Sequence, residues 1–129
     1  MINNESSEIA INLAQEFIEF MHGLEPEWSS AFFRFSSEPD NYGSSASYVS
    51  NTKVTLIESF KNSTFFRNMN KKGRDLLKLL NKNQGVILLS VSRDQKYKID
   101  FEFDNLNRWK ISKLNGGTGV PEGFAAVNL

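Results

Sequence analysis

The chain carries one histidine, His22, and no cysteine. Thiolate nucleophiles, disulfides, cysteine-ligated zinc or iron–sulfur centres and paired-histidine metal sites are therefore excluded. As a catalytic base His22 would need a nucleophile and an orienting acid. Spacing along the chain supplies neither, and a partly exposed structural histidine is expected. Asp100, Glu102 and Asp104 are two residues apart. On a strand that spacing puts carboxylates ~6.6–7 Å apart on one face, as in a metal or paired-acid site. Lys96 and Lys98 continue the same row and oppose a bound cation. A solvated strand face and an acidic protein-binding patch remain as readings. Arg67, Lys71, Lys72, Arg74, Lys78 and Lys82 would line one helix face, with Asp75 as the opposing acid. Such a face could neutralise phosphates, although no stacking-aromatic motif accompanies it. Gly116, Gly117 and Gly119 lack the strand-to-helix junction and following lysine of a phosphate cradle. No cofactor, no metal and no intrinsic enzyme activity are expected.

The elements that would position these residues follow from periodicity. Ile9, Leu13, Phe17, Phe20, Met21 and Leu24 form one helical stripe. This predicts a helix over 6–22, capped by Ser6 or Ser7 and stopped near Gly23. Its wet side would hold Asn12, Gln15, Glu16 and Glu19. Residues 28–36 read as a strand with Ala31, Phe33 and Phe35 inward and Trp28, Ser30, Phe32 and Arg34 on the other face. A turn-rich loop over 36–43, a serine-rich strand at 44–50, a turn at Asn51-Thr52 and a strand over 53–60 complete an antiparallel meander. A second helix ends near Leu80. Gly73 lies in its apolar face, at a close approach or a break. Val86–Ser92 is a short apolar strand. Lys96–Asp104 alternates, with Tyr97, Ile99, Phe101 and Phe103 on one side and the charged residues on the other.

The expected fold is α+β: an antiparallel sheet of about five strands, in the order α-βββ-α-ββ, with both helices on one face. The 129 residues suit a single domain, with a core over about 6–114 and a flexible tail over 115–129. Its buried set should include Leu13, Phe17, Phe33, Phe35, Leu77, Leu80, Leu89, Ile99, Phe101 and Phe103. Met1 to Ala10 show neither a basic n-region nor an apolar h-region, and no apolar run approaches the ~20 residues of a membrane span. A cytoplasmic protein is expected. Net charge is zero but unevenly spread. Residues 1–40 hold eight acids against Arg34, a net of −7, and residues 41–129 hold fourteen bases against seven acids, a net of +7. Such asymmetry points to a charged protein or nucleic-acid partner, unless the two parts pack together and average it out.

An amphipathic helix, a Trp-led strand, a Ser/Pro/Gly-rich turn, a meander and a Leu-rich helix precede the strand Gln95–Asp104. This order resembles the YezG-like family of immunity proteins from bacterial polymorphic-toxin and contact-dependent growth inhibition systems. That family shows a Gly-Lys-Phe-x-Ile-Asp-Phe-x-Tyr-Asp type of strand. Lys96, Ile99, Asp100, Phe101 and Asp104 match it, Tyr97 and Phe103 are aromatic exchanges, and Gln95 stands in place of the glycine. The likeness covers about residues 9–104. It implies an antitoxin that binds the C-terminal domain of a secreted toxin, often a nuclease, in the cytosol. Acids would then face the toxin's basic cleft: Asp100, Glu102 and Asp104 on the last strand, and Glu25, Glu27, Glu38 and Asp40 around the first. A nucleic-acid-binding module using the basic helix face is the alternative.

Overall fold

The computed structural model of the chain describes residues 4–124. Two helices, α1 (Asn4–Leu24) and α2 (Ser63–Leu79), accompany five strands: β1 (Trp28–Glu38), β2 (Asn41–Ser50), β3 (Lys53–Leu56), β4 (Gly85–Ser92) and β5 (Tyr97–Glu102). The strands form one antiparallel sheet in the order β3-β2-β1-β4-β5. The α+β class and the helices packed against this sheet agree with the periodicity.

The turns show how local residue choice sets register. Glu38 pairs with Asn41, so Pro39 and Asp40 alone make the first turn, where a loop over 36–43 was expected. Ser36, Ser37 and Gly43 are turn formers by type but, with Tyr42, pair across the ladder. Proline at the first central position of a tight turn has its φ preset. Asn51 (φ 50°) and Thr52 (φ 69°) both take left-handed backbone, the turn that matches hairpin twist. Between β4 and β5, Gln95 is left-handed (φ 73°) after Arg93-Asp94, as a three-residue hairpin loop requires.

One core lies between sheet and helices. Phe17 and Met21 of α1, Met69 and Leu76 of α2, and Phe33, Phe35 and Leu89 of the sheet are each at most 2% exposed. Phe17 meets Phe33 edge-on at 6.0 Å, and Phe20 stacks on Phe65 at 3.8 Å. α2 is continuous through Gly73, which makes the close-approach reading of that glycine the right one. Four residues expected in the buried set, Leu80, Ile99, Phe101 and Phe103, are only half-buried. Ile99 and Phe101 project from β5, an edge strand where neighbours cover one side alone, and Phe103 follows just past its end.

The expected placement of Trp28 is corrected. It is 1% exposed and belongs to the helix-side core, whereas Phe32 belongs to a second cluster. The register of β1 against β2 shifts between Trp28 and Ser30. This irregularity, a bulge, adds a residue and reverses which face the preceding side chain takes. The Trp28 indole N–H then donates to His22 Nδ1 at 3.3 Å and joins the end of α1 to the start of β1.

The other sheet face is covered too. Phe32, Val86 and Leu88 are 0% exposed beneath Trp109 and Ile111, with Leu106, Val120 and Phe124 packed around them. Side chains of the sheet clamp this irregular segment. Arg34 donates to the carbonyls of Leu106 (2.7 Å) and Arg108 (2.8 Å), and Ser47 Oγ donates to the carbonyl of Gly119 (2.7 Å). Gly119 has φ +92°, and a Cβ there would meet Val54 at 2.8 Å. Within residues 115–124, read from sequence as part of a loose tail, Gly119, Val120 and Phe124 therefore lie against the sheet. Residues 125–129 of that expected tail fall outside the described residues.

Candidate partner-binding surface

The alternation of β5 does put Asp100 and Glu102 on one face, but that face is not an open one. Glu102 lies opposite Val86 and Asp100 opposite Leu88, both in the second core. The Glu102 carboxylate accepts the backbone N–H groups of Asp104 (3.1 Å) and Asn105 (3.0 Å) and the Arg108 guanidinium (2.7 Å). The Asn105 N–H and the Arg108 side chain, with the Asp104 N–H behind them, hold its pKa below the ordinary glutamate value. Asp100 sits beside Lys98, at 3.8 Å. The expected solvated row is thus corrected: Glu102 anchors the chain's own loop and Asp100 is locally matched, which leaves Asp104 as the exposed acid.

The remaining sequence candidates divide between the ends of the sheet. Glu38 and Asp40 are exposed at the β1–β2 turn. Through Ser36, Val86 and Glu102, which lie opposite one another across three strands, they share an end with Asp104. That end is mixed in charge. A groove of about 450 Å³ places Glu38 and Asp40 with Arg74, Lys78 and Lys82 of the α2 region. Glu25 and Glu27 precede the start of β1, a strand of eleven residues, so they lie ~35 Å from the turn.

Just before Glu25 and Glu27 in the chain the structure adds a groove that the sequence reading left out, and the side chains of these two acids do not line it. α1 and α2 enclose an open groove of about 820 Å³. Its apolar lining is Phe20, Phe65 and Leu24, its acids are Glu16 and Glu19, and no lysine or arginine lines it. Glu16 is already ion-paired with Lys72. Glu19 is exposed, as is Glu27, whose N–H is held by the Glu25 carboxylate at 3.0 Å. The signal in the sequence was the wet side of α1, which holds acids and amides without a single lysine or arginine.

The basic helix face is largely consumed by the chain itself. Lys72 pairs with Glu16, Lys71 with Asp75 at 3.5 Å, the Arg74 guanidinium lies over Tyr42 at 4.8 Å, and Lys82 lies over Phe103 at 4.6 Å. Among the described residues no group of three or more His, Asp or Glu side chains is placed to hold a metal ion, and no helix is long and apolar enough to cross a membrane. No protein-family model matches the chain, and no curated protein matches it. The resemblance rests on the residues that carry it, Lys96 to Asp104 and the order of elements before them.

Proposed function

We propose that this protein is an immunity protein, which binds and neutralises a cognate secreted toxin domain, a nuclease, in the bacterial cytosol. The observation that carries the reading is the Lys96–Asp104 strand in its place after the meander and the Leu-rich helix. The groove between α1 and α2 supports a protein partner and supplies a site for it. An apolar floor with Glu19 unmatched on its rim, and no lysine or arginine in its own lining, suits a basic, partly apolar toxin surface. Glu19, Glu25 and Glu27 steer the encounter, and Leu24, 38% exposed, is the apolar contact. The Glu38–Asp40 turn is the weaker candidate, since Arg74, Lys78 and Lys82 offset its charge.

The test is co-expression with the toxin encoded beside this protein, followed by binding measured with purified components. The wild type should protect. Reversal of Glu19, Glu25 and Glu27 to Lys should slow association at least ~10-fold at low salt and flatten its salt dependence. Reversal of Glu38 and Asp40 should change it little. Failure of the wild type to protect overturns the immunity reading, and unchanged association of the triple variant overturns the groove.

A further inference from the structure

The outer edge of β5 is open: among the described residues no strand pairs with it. Ser92 N–H donates to the Lys96 carbonyl at 2.9 Å, and Lys98, Asp100 and Glu102 follow as partners of Ser90, Leu88 and Val86. Hydrogen-bonded pairs alternate along an antiparallel ladder. The N–H and C=O groups of Tyr97, Ile99 and Phe101 therefore point away from the sheet. Natural edges of this kind are usually protected by charge or covered.

The charges here protect against most pairings and favour one. About Ile99 the sequence Lys96-Tyr97-Lys98-Ile99-Asp100-Phe101-Glu102 reads base, aromatic, base, then acid, aromatic, acid. Turned by a two-fold axis through Ile99 onto a second copy, it meets itself with opposite charges in register. Lys98 of one copy faces Asp100 of the other, Lys96 faces Glu102, Tyr97 faces Phe101, and Ile99 faces Ile99. The outward backbone groups of residues 97, 99 and 101 then oppose one another, giving roughly six main-chain hydrogen bonds. A parallel, in-register pairing would set like charge on like charge, which destabilises it. The apolar side agrees. Tyr97 is 45% exposed, and Ile99 and Phe101 are half-buried for want of a neighbour beyond the edge.

We infer that this chain forms a two-fold dimer through antiparallel pairing of β5 with β5 of a second copy, joining two five-stranded sheets into one. The pairing is isologous, so it closes at two copies and does not propagate. It is independent of the toxin reading, because it uses the sheet edge and leaves the α1–α2 groove free.

Sedimentation equilibrium of the full chain from about 10 µM to 1 mM covers the range in which a small strand-pairing interface dissociates. The mass should rise from 14.7 kDa toward twice that value. Lys98→Asp alone sets acid against acid across the axis, and Asp100→Lys alone sets base against base. Each should weaken the dimer at least ~10-fold. An equal mixture of the two single variants restores both pairs and should dimerise again, as should the double variant. Ile99→Pro removes an outward N–H, which an edge strand tolerates, so it should be monomeric with an unchanged circular dichroism spectrum. A wild type that stays at 14.7 kDa overturns the proposal. Single variants that dimerise as well as the wild type, or a mixture that does not recover, overturn this register.

Discussion

A Cβ added to Gly73 would fall 2.8 Å from the ring of Phe35. The helix α2 can lie this close to β1 only because residue 73 has no side chain. Phe35 is 1% exposed and has no room to retreat. Gly73→Ala therefore sets a gain of about 1 kcal/mol in helix propensity against overpacking of about 1–3 kcal/mol. The expected outcome is a net loss of about 1 kcal/mol in urea unfolding, although an exposed helical site would show a gain. A stabilised Gly73→Ala variant would contradict this packing.

Burial separates two phenylalanines that look alike in sequence. Phe33 is 2% exposed between both helices and the sheet. Phe101 is half-buried at the sheet edge, stacked on Phe103 at 6.0 Å. Phe33→Ala should cost about 3–5 kcal/mol and Phe101→Ala about 1.5–3 kcal/mol. Equal losses in chemical denaturation would show that the β5 edge is more deeply covered than described.

Arg34 reaches through the second face to hold two carbonyls of the 105–124 segment. Desolvation lowers its pKa from the ordinary value, and nearby Glu122 acts in the opposite sense. Arg34→Met keeps the apolar stem but leaves both carbonyls without their donor. A loss of about 2–3 kcal/mol is expected, together with faster hydrogen exchange and proteolysis at 105–124. If the variant is destabilised without any change in that segment, the clamp is not what holds it.

The lowered pKa of Glu102 sets a direction for acid sensitivity. Its stabilising effect is fully present above the ordinary glutamate value of 4.5 and is lost as pH falls through the depressed folded value. Glu102→Gln should lower the melting temperature at neutral pH. The gap to the wild type should close in strong acid, where both residues are uncharged. A gap that stays constant down to low pH would mean that the carboxylate charge is not what ties residues 104–108.

Thr52 is a β-branched residue held at φ 69°. Such residues are strained in the left-handed region, which glycine enters without penalty. Thr52→Gly completes the Asn-Gly pair that this hairpin turn prefers. A gain of about 0.5–1 kcal/mol is expected from thermal or urea unfolding. A loss of stability would indicate a different turn between β2 and β3.

Local periodicity was enough for α1, for α2 and for the alternation of β5, because a helix or strand repeats its contacts every few residues and prints them on its own sequence. The exposed acids Glu27, Glu38 and Asp40 were legible for another reason: short polar turns and the strand ends beside them stay at the surface. Other features depend on partners far along the chain. Ser29 and Ser30 do not announce the bulge that turns Trp28 toward the helices, since the register against Ser50 creates it. Glu102 looked like a free carboxylate until Arg108 and the 104–105 backbone were folded onto it. Phe32 was read only as lying on the face opposite Phe33, and its burial there was hidden because the segment that covers it has no repeat. Its hold comes from single contacts across more than seventy residues, Arg34 to Leu106 and Ser47 to Gly119. Irregular backbone carries no period, so its docking is decided by shape and by the donors and acceptors of a sheet already built, and only the tertiary structure contains those.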